Sequence, residues 1–204
     1  MHQTTKGTEG YENAVNRFIQ VSQALDFKET NKDFLDHLPP IPARILDLGA
    51  GAGQNAAALA KMGYVVTAVE PMADFLNASR QTYSKYDIEW FNDSLPLIRC
   101  LGTKEGQFDF ILIDGVWHHL NEIERVKALE RLSFLLVGGG KCAISLRNGP
   151  PGMGTHVFPT DLDRTIGQAK EYGLRDVLQL DNQPSIFSYK VGVTWGRVVL
   201  QKDF

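Results

Sequence analysis

Cysteine is scarce in this chain, which has two in 204 residues, Cys100 and Cys142. They stand in no CxxC spacing and have no accompanying His pattern, so neither a disulfide framework nor a zinc site is indicated and no metal is expected. Both read as buried apolar side chains. An excess of either charge is also missing, with 21 Lys and Arg against 24 Asp and Glu and a net charge of -3. That balance gives no general pull toward the phosphates of long nucleic acid and favours a small or locally recognised ligand. No apolar run approaches the roughly 18 residues of a membrane span. Residues 1–9 are polar, with neither the apolar core of a signal peptide nor an Arg-rich transit pattern, so the expected setting is the cytoplasm, away from membranes. Internal repeats and low-complexity tracts are absent.

What is present is ordinary globular material, 43% hydrophobic and 22% charged, in a length that suits one domain. The segment YENAVNRFIQVSQALDF places Val15, Phe18, Val21 or Ser22, and Leu25 at helical spacing, and NKDFLDHL adds a short helical turn stopped by Pro39, Pro40 and Pro42. Residues 1–42 are therefore expected to form a helical front piece, a candidate lid, over an α/β core at 43–204. RILDLG, VVTAVE, IEWFND, FDFILIDG and KCAISLR are apolar bursts separated by amphipathic stretches at residues 57–63, 73–83 and 122–136. Nearly continuous apolar strands alternating with helices predict a Rossmann-like, doubly wound, mostly parallel sheet with helices on both faces. A further helix is expected near 161–172. The strands at 175–180 and 195–202 have no clear helix between them and predict an antiparallel hairpin at the C-terminal edge. An exposed edge of that kind leaves room for a homo-oligomer.

Four strand ends finish in acidic or glycine-rich groups, and Gly49 to Glu70, Glu70 to Asp93 and Asp93 to Asp114 lie 21, 23 and 21 residues apart. In an open α/β sheet such ends converge on the ligand crevice beyond the carboxyl ends of the strands. Asp47-Leu48-Gly49-Ala50-Gly51-Ala52-Gly53-Gln54 frees the backbone for tight dihedrals and close ligand approach. Glu70 is placed to accept hydrogen bonds from the two hydroxyls of a ribose. Asp93 can accept from an adenine amino group with the Ser94 amide facing a ring nitrogen, or cap the turn that follows. Taken together, the three ends describe an adenosine site.

At this point the chain resembles the class I S-adenosylmethionine (SAM)-dependent methyltransferases, and more specifically the small bacterial members with a helical front lid. ILDLGAGAG resembles the family's first motif, VTAVEP the second, NDSLP the adenine-side motif, FDFILIDGVWHHL the fourth and LLVGGGKCAISLR the strand after it. The resemblance implies a single methyltransferase domain over 1–204 with SAM as cofactor. It implies cofactor contacts from Asp47, Gly49, Ala50, Gly51 and Gly53, from Glu70, Pro71 and Met72, from Asp93 and Ser94, and from Asp114 and Gly115 near the methyl group. Tyr11 and Arg17 match the front-helix residues that touch the SAM carboxylate. The amide-nucleotide motif NPPY is replaced by Asp114-Gly115-Val116-Trp117, which argues against methylation of a planar amide or base nitrogen.

Methyl transfer from a sulfonium is an in-line displacement that needs positioning above all, and a base only when the acceptor sheds a proton. His118 and His119, beyond the fourth strand, are the candidate catalytic bases; the alternative is that one of them packs or caps the next helix. Trp117 is the candidate wall for an apolar acceptor. In the long loop that starts at Arg147, that arginine can neutralise an acceptor carboxylate or phosphate, and His156 is a weaker candidate. Two rival functions remain open at this stage. A SAM-binding protein without transferase activity would share the same strand ends. A nucleotide-dependent oxidoreductase would need glycine where Gln54 stands.

Overall fold

The structure is a computed structural model and describes residues 5–186 and 190–204. The front piece comprises a 3-10 turn at Tyr11–Asn13, α1 (Val15–Gln23), α2 (Phe27–Thr30) and a 3-10 segment at Lys32–His37. The core alternates β1 (Arg44–Leu48), α3 (Gln54–Met62), β2 (Val65–Val69), α4 (Ala73–Thr82), β3 (Ile88–Phe91), β4 (Phe108–Ile113), α5 (Glu122–Leu135) and β5 (Leu136–Asn148). It closes with α6 (Leu162–Lys170), β6 (Leu174–Pro184) and β7 (Thr194–Lys202).

Local signals account for the helix limits. Gly53 precedes α3 at φ +83° and Gly63 ends it at φ +103°, sending its N–H back to the Ala60 and Leu59 carbonyls. An added Cβ at Gly53 would stand 2.8 Å from Ser79 and Trp90, so glycine is required there by dihedral and by space together. Asn121 and Glu124 form a reciprocal capping box at the start of α5. Asp161 accepts from the Arg164 N–H to start α6.

Among the described residues the sheet runs β3-β2-β1-β4-β5-β7-β6. Strands β1 to β5 pair in parallel and β7 pairs antiparallel with both β5 and β6. The doubly wound sheet with its antiparallel edge is thus the one expected, with one refinement: the last strand slots inside and β6 becomes the outer strand. β6 also continues to Pro184 through two irregularities, covering part of what reads as an unstructured connector. Residues 187–189 of that connector and residues 1–4 of the polar leader lie outside the described residues.

The two faces of the sheet carry separate cores. On one, Ile111, Cys142, Ile144 and Leu200 pack against Leu129 and Leu132 of α5 and Ile166 of α6. On the other, Ile45, Phe110, Ala143 and Val199 pack against Ala56 and Leu59 of α3 and against Phe27 and Phe34 of the front piece. The front piece therefore shares the core and does more than overlie the site. No described helix is long and apolar enough to cross a membrane.

Candidate functional site

The order of crossovers reverses between β1 and β4, and a cavity of about 870 Å³ opens there beyond the carboxyl ends of the strands. From β1, the backbone of Gly49, Ala50 and Gly51 forms part of its wall. Gly49, at φ +70°, lies so close to Val116 that a side chain would collide with it. Beyond β2 stand Glu70, Pro71 and Met72; beyond β3, Ser94; beyond β4, Asp114 and Gly115; then His118, His119 and, from β5, Arg147. The front piece adds Tyr11, Arg17 and Phe18.

Glu70 is 5% exposed. Its carboxylate accepts the Gly51 N–H at 2.9 Å and the Met72 N–H at 2.7 Å, so one acid couples the glycine loop to the turn after β2. Burial pushes its pKa up to about 7 against those two N–H groups. Asp114 accepts from the Ser145 hydroxyl at 2.8 Å, and the same hydroxyl receives the Gly115 N–H at 2.7 Å. Serine 145 was invisible as a site residue in the sequence because it lies inside an apolar strand.

Four expected site residues do not reach the cavity wall, and each has a physical reason. Asp47 is buried under the glycine loop, its pKa raised to about 7 by burial and then by Asp114, and its Oδ2 has no hydrogen-bond partner. Gly53 is enclosed by Ser79 and Trp90. Asp93 spends its carboxylate on the backbone, accepting from Ser94 N–H at 2.8 Å and Cys100 N–H at 2.7 Å. Trp117 is fully buried in the core beneath α5; Trp195, on β7, is the tryptophan that faces the cavity.

The histidines are fixed differently. His119 sets its Nδ1 2.7 Å from the His156 carbonyl, which can only accept, so Nδ1 carries the proton. Its Nε2, 3.1 Å from the Tyr11 hydroxyl, therefore accepts from it. His156 thus contributes its backbone here. Tyr11 stacks edge-on to Phe18, Phe75 and His119, and Gly154 makes room for it, since a Cβ at that position would collide with the Tyr11 ring. Burial, assisted by Glu70 and opposed by Arg147, pushes the Tyr11 phenol up to about 12, so it acts as a neutral donor. His118 lies beside His119, ring centroids 4.1 Å apart. Burial, followed by the charges of His119, Arg147, Arg125 and Lys190, pushes it down to about 2. Burial lowers His119 as well. Among the described residues no group of three or more His, Cys, Asp or Glu is arranged to hold a metal ion.

With this geometry in view, the comparisons with known proteins can be read. Residues 45–140 match the family model described as a methyltransferase domain. An uncharacterized methyltransferase of Mycobacterium tuberculosis is 31% identical over 122 residues, which make up 56% of this chain and 59% of that protein. A TehB-like SAM-dependent methyltransferase from Corynebacterium glutamicum superposes with a TM-score of 0.68 at 21% identity, covering 94% of this chain and 97% of the other. Over its β1–β5 core the chain is similar to methyltransferase domains. The chain spans about three-fifths of the length of that mycobacterial relative. It also shares its fold with the 1,6-didemethyltoxoflavin-N1-methyltransferase of Burkholderia thailandensis, at a TM-score of 0.70 and 18% identity over 100% of this chain and 94% of that one. The structure of that protein contains 1,6-didemethyltoxoflavin and S-adenosylhomocysteine. The match at 45–140 ends before Arg147 and Trp195.

Proposed function

We propose that this chain is a single-domain cytoplasmic enzyme that transfers the methyl group of SAM to a small-molecule acceptor by in-line displacement. The observation that carries this reading is Glu70, buried at the end of β2 and clamped to the Gly51 and Met72 amides on the wall of a large cavity. A carboxylate so placed keeps lone pairs for a ribose diol. The residues present fit the cofactor: the glycine loop leaves backbone exposed where side chains would intrude, and Glu70, Asp114 and the unpartnered Asp47 oxygen make this end acidic. SAM, when bound, supplies an electrophilic methyl on a sulfonium together with an ammonium group, both matched by that acidity.

Ser94 and Leu95 would border the adenine, with Asp93 holding their loop in shape. Asp114, set by Ser145, would face the methionine end. Tyr11, Phe18 and Phe75 would close the mouth and exclude water, with His119 acting through its bond to Tyr11. His118 is the side chain in reach of an acceptor proton. A cavity that continues past Asp114 to His118 and Trp195 supports a transferase over a binding protein that lacks an acceptor site.

The test is calorimetric titration with SAM followed by a screen of metabolite fractions for release of S-adenosylhomocysteine. Binding with one-to-one stoichiometry and a methylated product are expected; a protein that binds neither SAM nor S-adenosylhomocysteine would defeat the reading.

A pH dependence follows from the same carboxyls. The folded pKa values of Glu70 and Asp47 are raised to about 7 from 4.5 and 3.8, so each is about half protonated at neutrality in the free protein. A cationic ligand favours the ionised forms. SAM binding at pH 7 is therefore expected to release about one proton in total, and affinity should weaken as pH falls from 8 to 6. Calorimetry in two buffers of different ionisation heat measures this directly. Zero net proton exchange would show that these carboxyls do not face the ligand's charge.

A further inference from the structure

Apart from Arg17 of the front piece, the charges on the cavity wall are segregated. Its acids, Glu70 and Asp114, stand beyond β2 and β4, whereas Arg147, Lys190 and Arg197 come from β5, the segment before β7, and β7 itself. β5 is three strand spacings from β2, about 14 Å at the usual separation. Ser145 pairs in register with Arg197 and Arg147 with Trp195, so all four side chains leave the sheet on one face. Arg197 is held in place, with its Nε 3.8 Å from Asp33 Oδ2 and its guanidinium 5.0 Å from the Trp195 ring centroid. Arg147 is held only by a hydrogen bond to the Pro150 carbonyl at 2.6 Å and has no carboxylate partner among the described residues. The positive charges also crowd one another: after burial, Arg147 is a cause of the lowered pKa of both Lys190 and His118. Arg147 is desolvated and has no carboxylate partner among the described residues, a costly arrangement that a ligand anion relieves.

We propose that the methyl acceptor is a small anionic compound whose carboxylate or phosphate is received by Arg147 and Lys190 while its flat or apolar body lies against Trp195. This assignment rests on the reading that SAM occupies the acidic end. The rest of the wall suits it: Ile186 and Val191 at the mouth are 47% and 84% exposed, apolar surface that an acceptor body would cover.

The test uses the full chain saturated with S-adenosylhomocysteine and four probes of one shape: benzoate, phenyl phosphate, benzamide and benzylamine. Calorimetry is expected to show the anions binding about tenfold or more tighter than benzamide, and benzylamine weakest. The stronger of the two anions tells carboxylate from phosphate. Arg147→Gln should erase the preference and Arg147→Lys should keep part of it, with unchanged melting curves and unchanged S-adenosylhomocysteine affinity in both. Benzamide binding as tightly as benzoate, a preference that survives Arg147→Gln, or no probe binding to protein that holds S-adenosylhomocysteine would each overturn the proposal. Failure of S-adenosylhomocysteine itself to bind would instead defeat the cofactor reading, and the same titrations without it would then decide the anion subsite by themselves.

Discussion

Trp117→Ala is expected to destabilise the fold by about 3–5 kcal/mol, the usual cost of deleting a large aromatic from a packed core. Trp117 is fully buried beside Leu129, Ile144 and Leu146, and its indole nitrogen has no hydrogen-bond partner, so the loss is one of packing. Urea unfolding monitored by circular dichroism measures it. Trp195→Ala, by contrast, is expected to change stability by about 1 kcal/mol or less, since Trp195 is only part-buried. The pair separates two roles for tryptophan that look alike in a sequence. A nearly neutral Trp117→Ala that instead weakened acceptor binding would put that side chain back on the cavity wall.

Glu70→Ala is expected to weaken SAM binding by roughly 1.5–3 kcal/mol, or about 10–150-fold, the range for hydrogen bonds to a charged group. Two effects act together: the ribose hydroxyls lose their acceptor, and the buried Gly51 and Met72 amides lose theirs. Glu70→Gln keeps one oxygen acceptor in the same space, so its loss should be smaller than that of the alanine variant. Calorimetry on both variants, with melting curves to confirm folding, checks the ranking. Wild-type affinity in Glu70→Ala would discredit the ribose assignment.

Several parts of the site were legible because they are encoded locally. Glycines at 49, 51 and 53 announce a strand-to-helix turn with dihedrals other residues resist, and all three take positive φ. Glu70 and Asp114 follow apolar bursts, and chain spacing alone predicts that such ends meet above a parallel sheet. Asp93 shows where this logic stops. The same residue type at the same spacing can meet a ligand or cap its own loop, and here Ser94 and Cys100 take both carboxylate oxygens. His118 and His119 were equally ambiguous, and the distinction between them rests on a carbonyl 37 residues away in the chain.

By itself, then, the chain's order of residues determined the alternation of strands and helices, the glycine loop and the acidic strand ends, because each depends on periodicity or on neighbours within one turn or unit. Only the tertiary structure decided that the last strand lies between β5 and β6, that Trp195 and Arg197 share a face with Arg147, and that Trp117 points into the core. Those outcomes depend on packing between elements distant in the chain. A shift of one residue in the β5–β7 pairing would turn Trp195 and Arg197 to the other face of the sheet.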